Sequence, residues 1–143
     1  MSSRFREIAD WFEALTPDTL KTIDSVYDKL SSFRDPFNDI IGIDKIQAIY
    51  QHMFDQLVEP RFKVTRIVEQ GPESFMSWDF TFQLSGKFYR IAGCTHFVMD
   101  PDTRLVILHR DYWDAAQELY EKFPVLGWVL QRLRKRLSLF PDR

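Results

Sequence analysis

What this chain lacks narrows the options first. It has one cysteine, Cys94, so no internal disulfide can brace it, and a lone Cys in an apolar strand pattern reads as a small core residue. No stretch approaches the roughly 20 apolar residues of a membrane span. The opening Met1-Ser2-Ser3-Arg4-Phe5-Arg6-Glu7 lacks the apolar run of a secretory signal, and a cytoplasmic location is expected. Charge nearly balances at −2, so nothing in the overall field calls for nucleic acid. The three histidines, His52, His96 and His109, are scattered without a nearby Cys or paired acidic motif. No metal site and no cofactor is expected. There is no internal repeat, linker or low-complexity tract.

The chain does have enough length for one domain with a real core, 143 residues of which 45% are hydrophobic and 28% charged. Aromatics are abundant at 15%, with 13 Phe, more rings than a small core needs. Some should line a cavity or a partner surface.

Periodicity divides the chain into three stretches. Phe5, Ile8, Ala9 and Phe12 recur at helical spacing, predicting an amphipathic helix over 3–15. Thr16-Pro17-Asp18 supplies a cap and a first-turn proline for a second helix over 17–27. Leu30 to Phe33 reads as a short extended piece, closed at Arg34-Asp35-Pro36-Phe37, and Ile46, Ile49, Tyr50, Met53, Phe54 and Leu57 predict a helix over 43–58. The period then becomes two. Runs at 61–70, 74–84, 87–99 and 104–113, separated by turn residues, predict an antiparallel meander. Residues 114–140 return to helical spacing as a C-terminal extension, interrupted at Pro124. Helices, then strands, then a helix make an α+β domain spanning 1–143.

Two strands carry the chemistry. On 74–84, Met76, Trp78, Phe80, Phe82 and Leu84 form one face, and Ser77, Asp79, Thr81 and Gln83 the other. Either the aromatic face is buried and the polar face is wet, or Asp79 enters a polar-lined pocket. In the second case a partner subunit or the C-terminal helix covers the rings. The last strand ends in His109-Arg110-Asp111-Tyr112-Trp113-Asp114, where Asp114 can cap the next helix and leaves Asp111 for another task.

These residues carry a resemblance. Arg110-Asp111-Tyr112-Trp113-Asp114 resembles a motif of limonene-epoxide hydrolases, members of the nuclear-transport-factor-2-like and SnoaL-like superfamily. The resemblance implies a cone-shaped domain, a curved antiparallel sheet wrapped by helices around a pocket for a small apolar molecule. It also implies that Asp111 activates water and that Asp79, about thirty positions earlier, protonates the substrate. Ser77 stands where that family has an arginine, and Phe33 and Asp35 where it has Tyr-x-Asn. Arg34-Asp35-Pro36 is similar to the proton-shuttling turn of ketosteroid isomerases, with Trp11 or Phe12 and Thr95 at the oxyanion positions. SnoaL-like polyketide cyclases suggest instead a pair drawn from His96 with His109 or Asp111.

The resulting expectation is acid/base catalysis of isomerase, cyclase or hydrolase type on a small apolar molecule. Asp111, Asp79, Asp35 and His109 are the catalytic candidates, and Tyr50, Phe54, Thr95, Phe97 and Tyr112 the substrate-binding ones. The rival is a non-catalytic binding or interaction domain. A homodimer is expected. The seam Leu126, Leu130, Leu133 and Leu137 beside Arg132, Arg134, Lys135 and Arg136 packs on the domain or a twin, or else lies on a membrane.

Overall fold

The computed structural model describes residues 3–113, 135–137 and 139. Helix α1 (Arg4–Glu13) begins where the Arg6 N–H donates to the Ser3 hydroxyl at 3.0 Å, an N-cap that satisfies one orphan backbone donor. Phe5, Ile8, Ala9 and Phe12 share one face and are all buried. Each large side chain so removed from water contributes roughly 1.5–3 kcal/mol.

Where an α-helix is expected over 17–27, the chain forms a 3-10 helix, Thr19–Ser25, kinked at Thr22. The hydroxyls of Thr22 and Ser25 each donate to a carbonyl three residues back, at 2.6 Å. Such local competition for carbonyls disfavours a regular helix. The chain therefore enters strand β1 (Tyr27–Arg34) earlier than its apolar pattern suggests. A three-residue strand, β2 (Asp39–Ile41), pairs back onto it and has no counterpart in the sequence reading. Helix α2 (Ile43–Gln56) follows, burying Ile46, Ile49, Tyr50 and Met53.

The meander is present as β3 (Val58–Gln70), β4 (Glu73–Leu84), β5 (Lys87–Met99) and β6 (Val106–Tyr112), each antiparallel to the next. β1 lies beside β6 in parallel, so the six-stranded sheet, ordered β2-β1-β6-β5-β4-β3, is mixed. β3 starts before Pro60 because the ladder skips from Val58 to Arg61, which leaves the proline in a bulge where no N–H is needed. A second skip follows between Val64 and Arg66. These bulges bend the long strands into an open, curved sheet.

Helix α1 lies against β3, and α2 against β1, β2 and β3. Their apolar stripes require an apolar partner, and β4 turns Met76, Trp78, Phe80 and Phe82 towards them, all buried. The aromatic face is thus buried within the single chain. Of the expected extension 114–140, a helical turn at 135–137 is described. Leu139 is described as well, and the remainder, with Leu126, Leu130, Leu133 and Asp114, lies outside the described residues. Among the described residues no helix is long and apolar enough to cross a membrane.

Candidate functional site

Between the helices and the concave sheet lies a cavity of about 100 Å³, walled by Phe12 from α1, Tyr50 and Met53 from α2, Trp78 and Phe80 from β4 and Phe97 from β5. Four polar side chains reach it from the last strands and the β1–β2 turn: Asp35, Thr95, His109 and Asp111. A wider, open hollow bounded by Arg34, Arg110 and Tyr112 meets the cavity at Asp35, Asp111 and Trp113. The two carboxylates therefore stand at the junction of an apolar chamber and a basic entrance.

Register explains this gathering. Met76, Thr95 and Asp111 are direct cross-strand partners over β4, β5 and β6, and Phe97, His109 and Phe33 are partners over β5, β6 and β1. Cross-strand partners share a face, and residues two apart along a strand do too. Gly93, opposite Trp78, lets the indole lie across β5. A methyl at Gly93 would sit 2.6 Å from Trp78 Cζ2.

A hydrogen-bonded chain runs along the concave face. Indole N–H groups only donate, so Thr95 Oγ1 accepts from Trp78 Nε1 at 2.7 Å and points its own hydrogen at Asp111 Oδ1, 2.5 Å away. A carboxylate only accepts, so His109 Nε2–H donates to the same oxygen at 2.7 Å. On the other side of the ring, His109 Nδ1 lies 2.7 Å from the Tyr27 hydroxyl, which in turn lies 3.2 Å from the Tyr50 hydroxyl. Burial raises both tyrosine hydroxyls well above the ordinary 10.0, and the Asp111 charge adds to this, so both keep their protons. His109 is 3% exposed and ringed by Phe33 and Phe97, with centroids at 4.4 and 4.9 Å. Its position is fixed on every side.

Asp35 is held differently. Its Oδ1 accepts from the backbone N–H groups of Phe37 at 2.8 Å and Asn38 at 2.6 Å, the Asx turn that an Asp-Pro pair favours. Burial foremost, and then the Asp111 charge, raise its carboxyl from 3.8 to about 6, while those hydrogen bonds oppose the rise. Asp35 thus both organises a turn and faces the cavity.

Of the expected site residues, Asp35, Tyr50, Thr95, Phe97, His109 and Asp111 line this one cavity. Asp79 does not. It follows Trp78 on β4, so alternation turns it to the convex face, where Arg90 Nη2 donates to it at 2.7 Å. The Asp79–Asp111 pair is therefore excluded, since the sheet separates the two carboxylates. Tyr112 also points outward, beneath the Arg110 guanidinium at 4.8 Å, and is 46% exposed. His96 shares that face, stacked on Phe75 and bonded to Glu73 at 2.9 Å. Phe54 lies at the edge of the α2 stripe and packs on the core without reaching the cavity. Among the described residues, no group of three or more His, Cys, Asp or Glu is placed to hold a metal ion.

No curated protein matches this sequence. The SnoaL-like domain family model matches residues 8–108, well over half of the chain. The chain belongs to the SnoaL-like domain family. This SnoaL-like domain has the fold of a SnoaL-like polyketide cyclase candidate from Shewanella denitrificans OS-217, at 22% identity and TM-score 0.69, over 85% of this chain and 97% of that one. An LEH-like epoxide hydrolase from M. tuberculosis is similar at 17% identity and TM-score 0.70, over 90% of this chain and 95% of that one. A hypothetical protein with a ketosteroid isomerase-like fold from Catenulispora acidiphila DSM 44928 is similar at 11% identity and TM-score 0.68, over 84% and 92%. At such identities the likeness is one of fold. The family match takes in Asp35 and stops before Asp111.

Proposed function

We propose that this SnoaL-like domain binds a small, largely apolar molecule in the aromatic cavity and transfers protons on it, in a reaction of isomerase, cyclase or hydrolase type. One observation carries the reading: two carboxylates with unlike surroundings, Asp35 and Asp111, face a single aromatic cavity. Asp111 is the base. Thr95 and His109 fix its Oδ1 and stabilise the anion, and His109 acts as a positioning residue held by Tyr27. Asp35 is the proton donor, because a carboxyl near 6 keeps a useful protonated fraction at neutral pH.

Their coupling helps the exchange. While Asp111 is charged it raises Asp35. Once Asp111 takes a proton from substrate or water, that push disappears and Asp35 releases its own proton more readily. The rival reading, a binding domain without turnover, keeps the cavity and gives the carboxylates no chemistry. The proposal also keeps the protein cytoplasmic and homodimeric, the second on the exposed apolar residues Leu30, Phe75 and Tyr112 of the outer sheet face.

The test is a panel of small neutral epoxides and cyclic ketones, followed by ligand-observed NMR and product analysis. Binding with conversion that disappears in Asp111→Asn supports catalysis. Binding without conversion of any member favours the rival reading.

A further inference from the structure

Asn38 is 1% exposed and its side chain faces two ways. A carboxamide places a donor and an acceptor side by side, as a peptide group does. Asn38 Nδ2 lies 3.3 Å from the Leu137 carbonyl oxygen, and Oδ1 accepts from the Leu139 N–H at 3.2 Å. These are the contacts a neighbouring strand would make with that segment. The same Nδ2 also lies 3.3 Å from Asp35 Oδ1 and 3.4 Å from Oδ2. Two hydrogens serve three acceptors, so one goes to the carboxylate and one to the segment. Leu137 in turn forms part of the cavity wall.

We propose that Asn38 is a positioning residue that latches the Leu137 carbonyl and the Leu139 N–H against the cavity and ties them to the Asp35 carboxyl, so that wall and acid change together. This rests on the reading of Asp35 as the acid. Among the described residues, the other ionisable groups around Asp35 are Asp111 and, behind it, His109, both of β6, Tyr50 of α2, and Arg34 of β1 with Arg110 of β6 across the outer hollow. Releasing the segment frees the second Asn38 N–H for Asp35 and admits water. Both changes favour the ionised carboxylate. Unlatched, Asn38 therefore leaves Asp35 a weaker proton acceptor; latched, it leaves a carboxyl that retains its proton.

The experiment titrates the Asp35 carboxyl by carbon-13 NMR in the full-length chain and in Leu139→Pro, which removes the N–H that donates to Asn38 Oδ1, with Leu139→Ala as the control for the lost side-chain packing. The expected result is a proton affinity lower by about tenfold in the variant, one pH unit in midpoint. Full-length Asn38→Leu is followed by amide hydrogen exchange, where the Leu139 amide should exchange at least about tenfold faster. An unchanged midpoint in folded Leu139→Pro, or unchanged Leu139 exchange in Asn38→Leu, overturns the latch. A wild-type Asp35 midpoint near 3.8 would sink the acid reading instead. The exchange result would then still uphold or overturn the latch.

Discussion

Replacing Asp35 with Asn should change the dependence of stability on pH in a calculable way. Asp35 binds its proton more tightly in the folded state, at about 6, than at the ordinary 3.8. Below pH 3.8 the carboxyl is protonated in both states and imposes no charge penalty. As pH rises from there through about 6, the unfolded chain ionises first and the folded state loses relative stability. At 1.36 kcal/mol per pH unit the whole loss is about 3 kcal/mol, complete by about pH 8. Asn cannot ionise, so Asp35→Asn removes this dependence. Its amide oxygen can still accept from the Phe37 and Asn38 N–H groups, though more weakly, and its NH2 now opposes the Asn38 NH2. That costs roughly 1–2 kcal/mol at every pH. The variant should therefore be less stable than wild type near pH 4 and more stable near pH 8, a swing of about 2.5 kcal/mol between them. Urea unfolding of both proteins at intervals across that range measures it. Asp111→Asn should shrink the swing without removing it, because burial leads the Asp111 charge in raising Asp35. A difference that stays flat with pH, or runs the other way, would refute the placement of Asp35 in a water-poor site beside a second carboxylate.

Further outcomes follow from the same geometry. Gly93→Ala should displace the Trp78 ring and break its bond to Thr95, costing roughly 1–3 kcal/mol and changing tryptophan fluorescence. Unchanged emission and stability would contradict that contact. Asp79→Asn should cost less than about 1 kcal/mol, since its Arg90 partner is largely exposed, and ligand affinity should not change when measured by titration. Sedimentation should show a homodimer that Tyr112→Glu weakens; a monomer at every concentration would end that part of the proposal.

Much of this architecture is legible in the residues. The stripe Phe5, Ile8, Ala9 and Phe12 marks α1, and the switch to period two after Phe62 marks the meander. The early start of β1 is not legible, because Tyr27-Asp28-Lys29 lacks an apolar alternation and its pairing comes from distant β6. The three residues of β2 are too few to carry a period. On β4 the alternation separates Trp78 from Asp79 and cannot by itself say which face is concave. The deciding signal was in the helices: two strongly apolar stripes need an apolar sheet face, so Trp78 goes inward and Asp79 outward. The same parity, once Asp111 and Thr95 are placed inside, sends Tyr112 and His96 outside. Asn38 carried no sequence signal, since its role depends on a segment about a hundred positions away. His109 and Asp111 were legible as candidates, whereas Tyr27 behind them was not, because its hydroxyl meets His109 through the parallel β1–β6 pairing.

The central claim is that proton transfer takes place between Asp111 and Asp35 on the concave side of the sheet. Deuterium uptake next to the carbonyl of a small neutral cyclic ketone, followed by proton NMR in heavy water, tests it most directly. Wild type and Asp79→Asn should accelerate the uptake equally. Asp111→Asn should fall to the uncatalysed rate, and Asp35→Asn should lose most of the acceleration. Uptake that survives in folded Asp111→Asn, or that Asp79→Asn abolishes, would contradict the account.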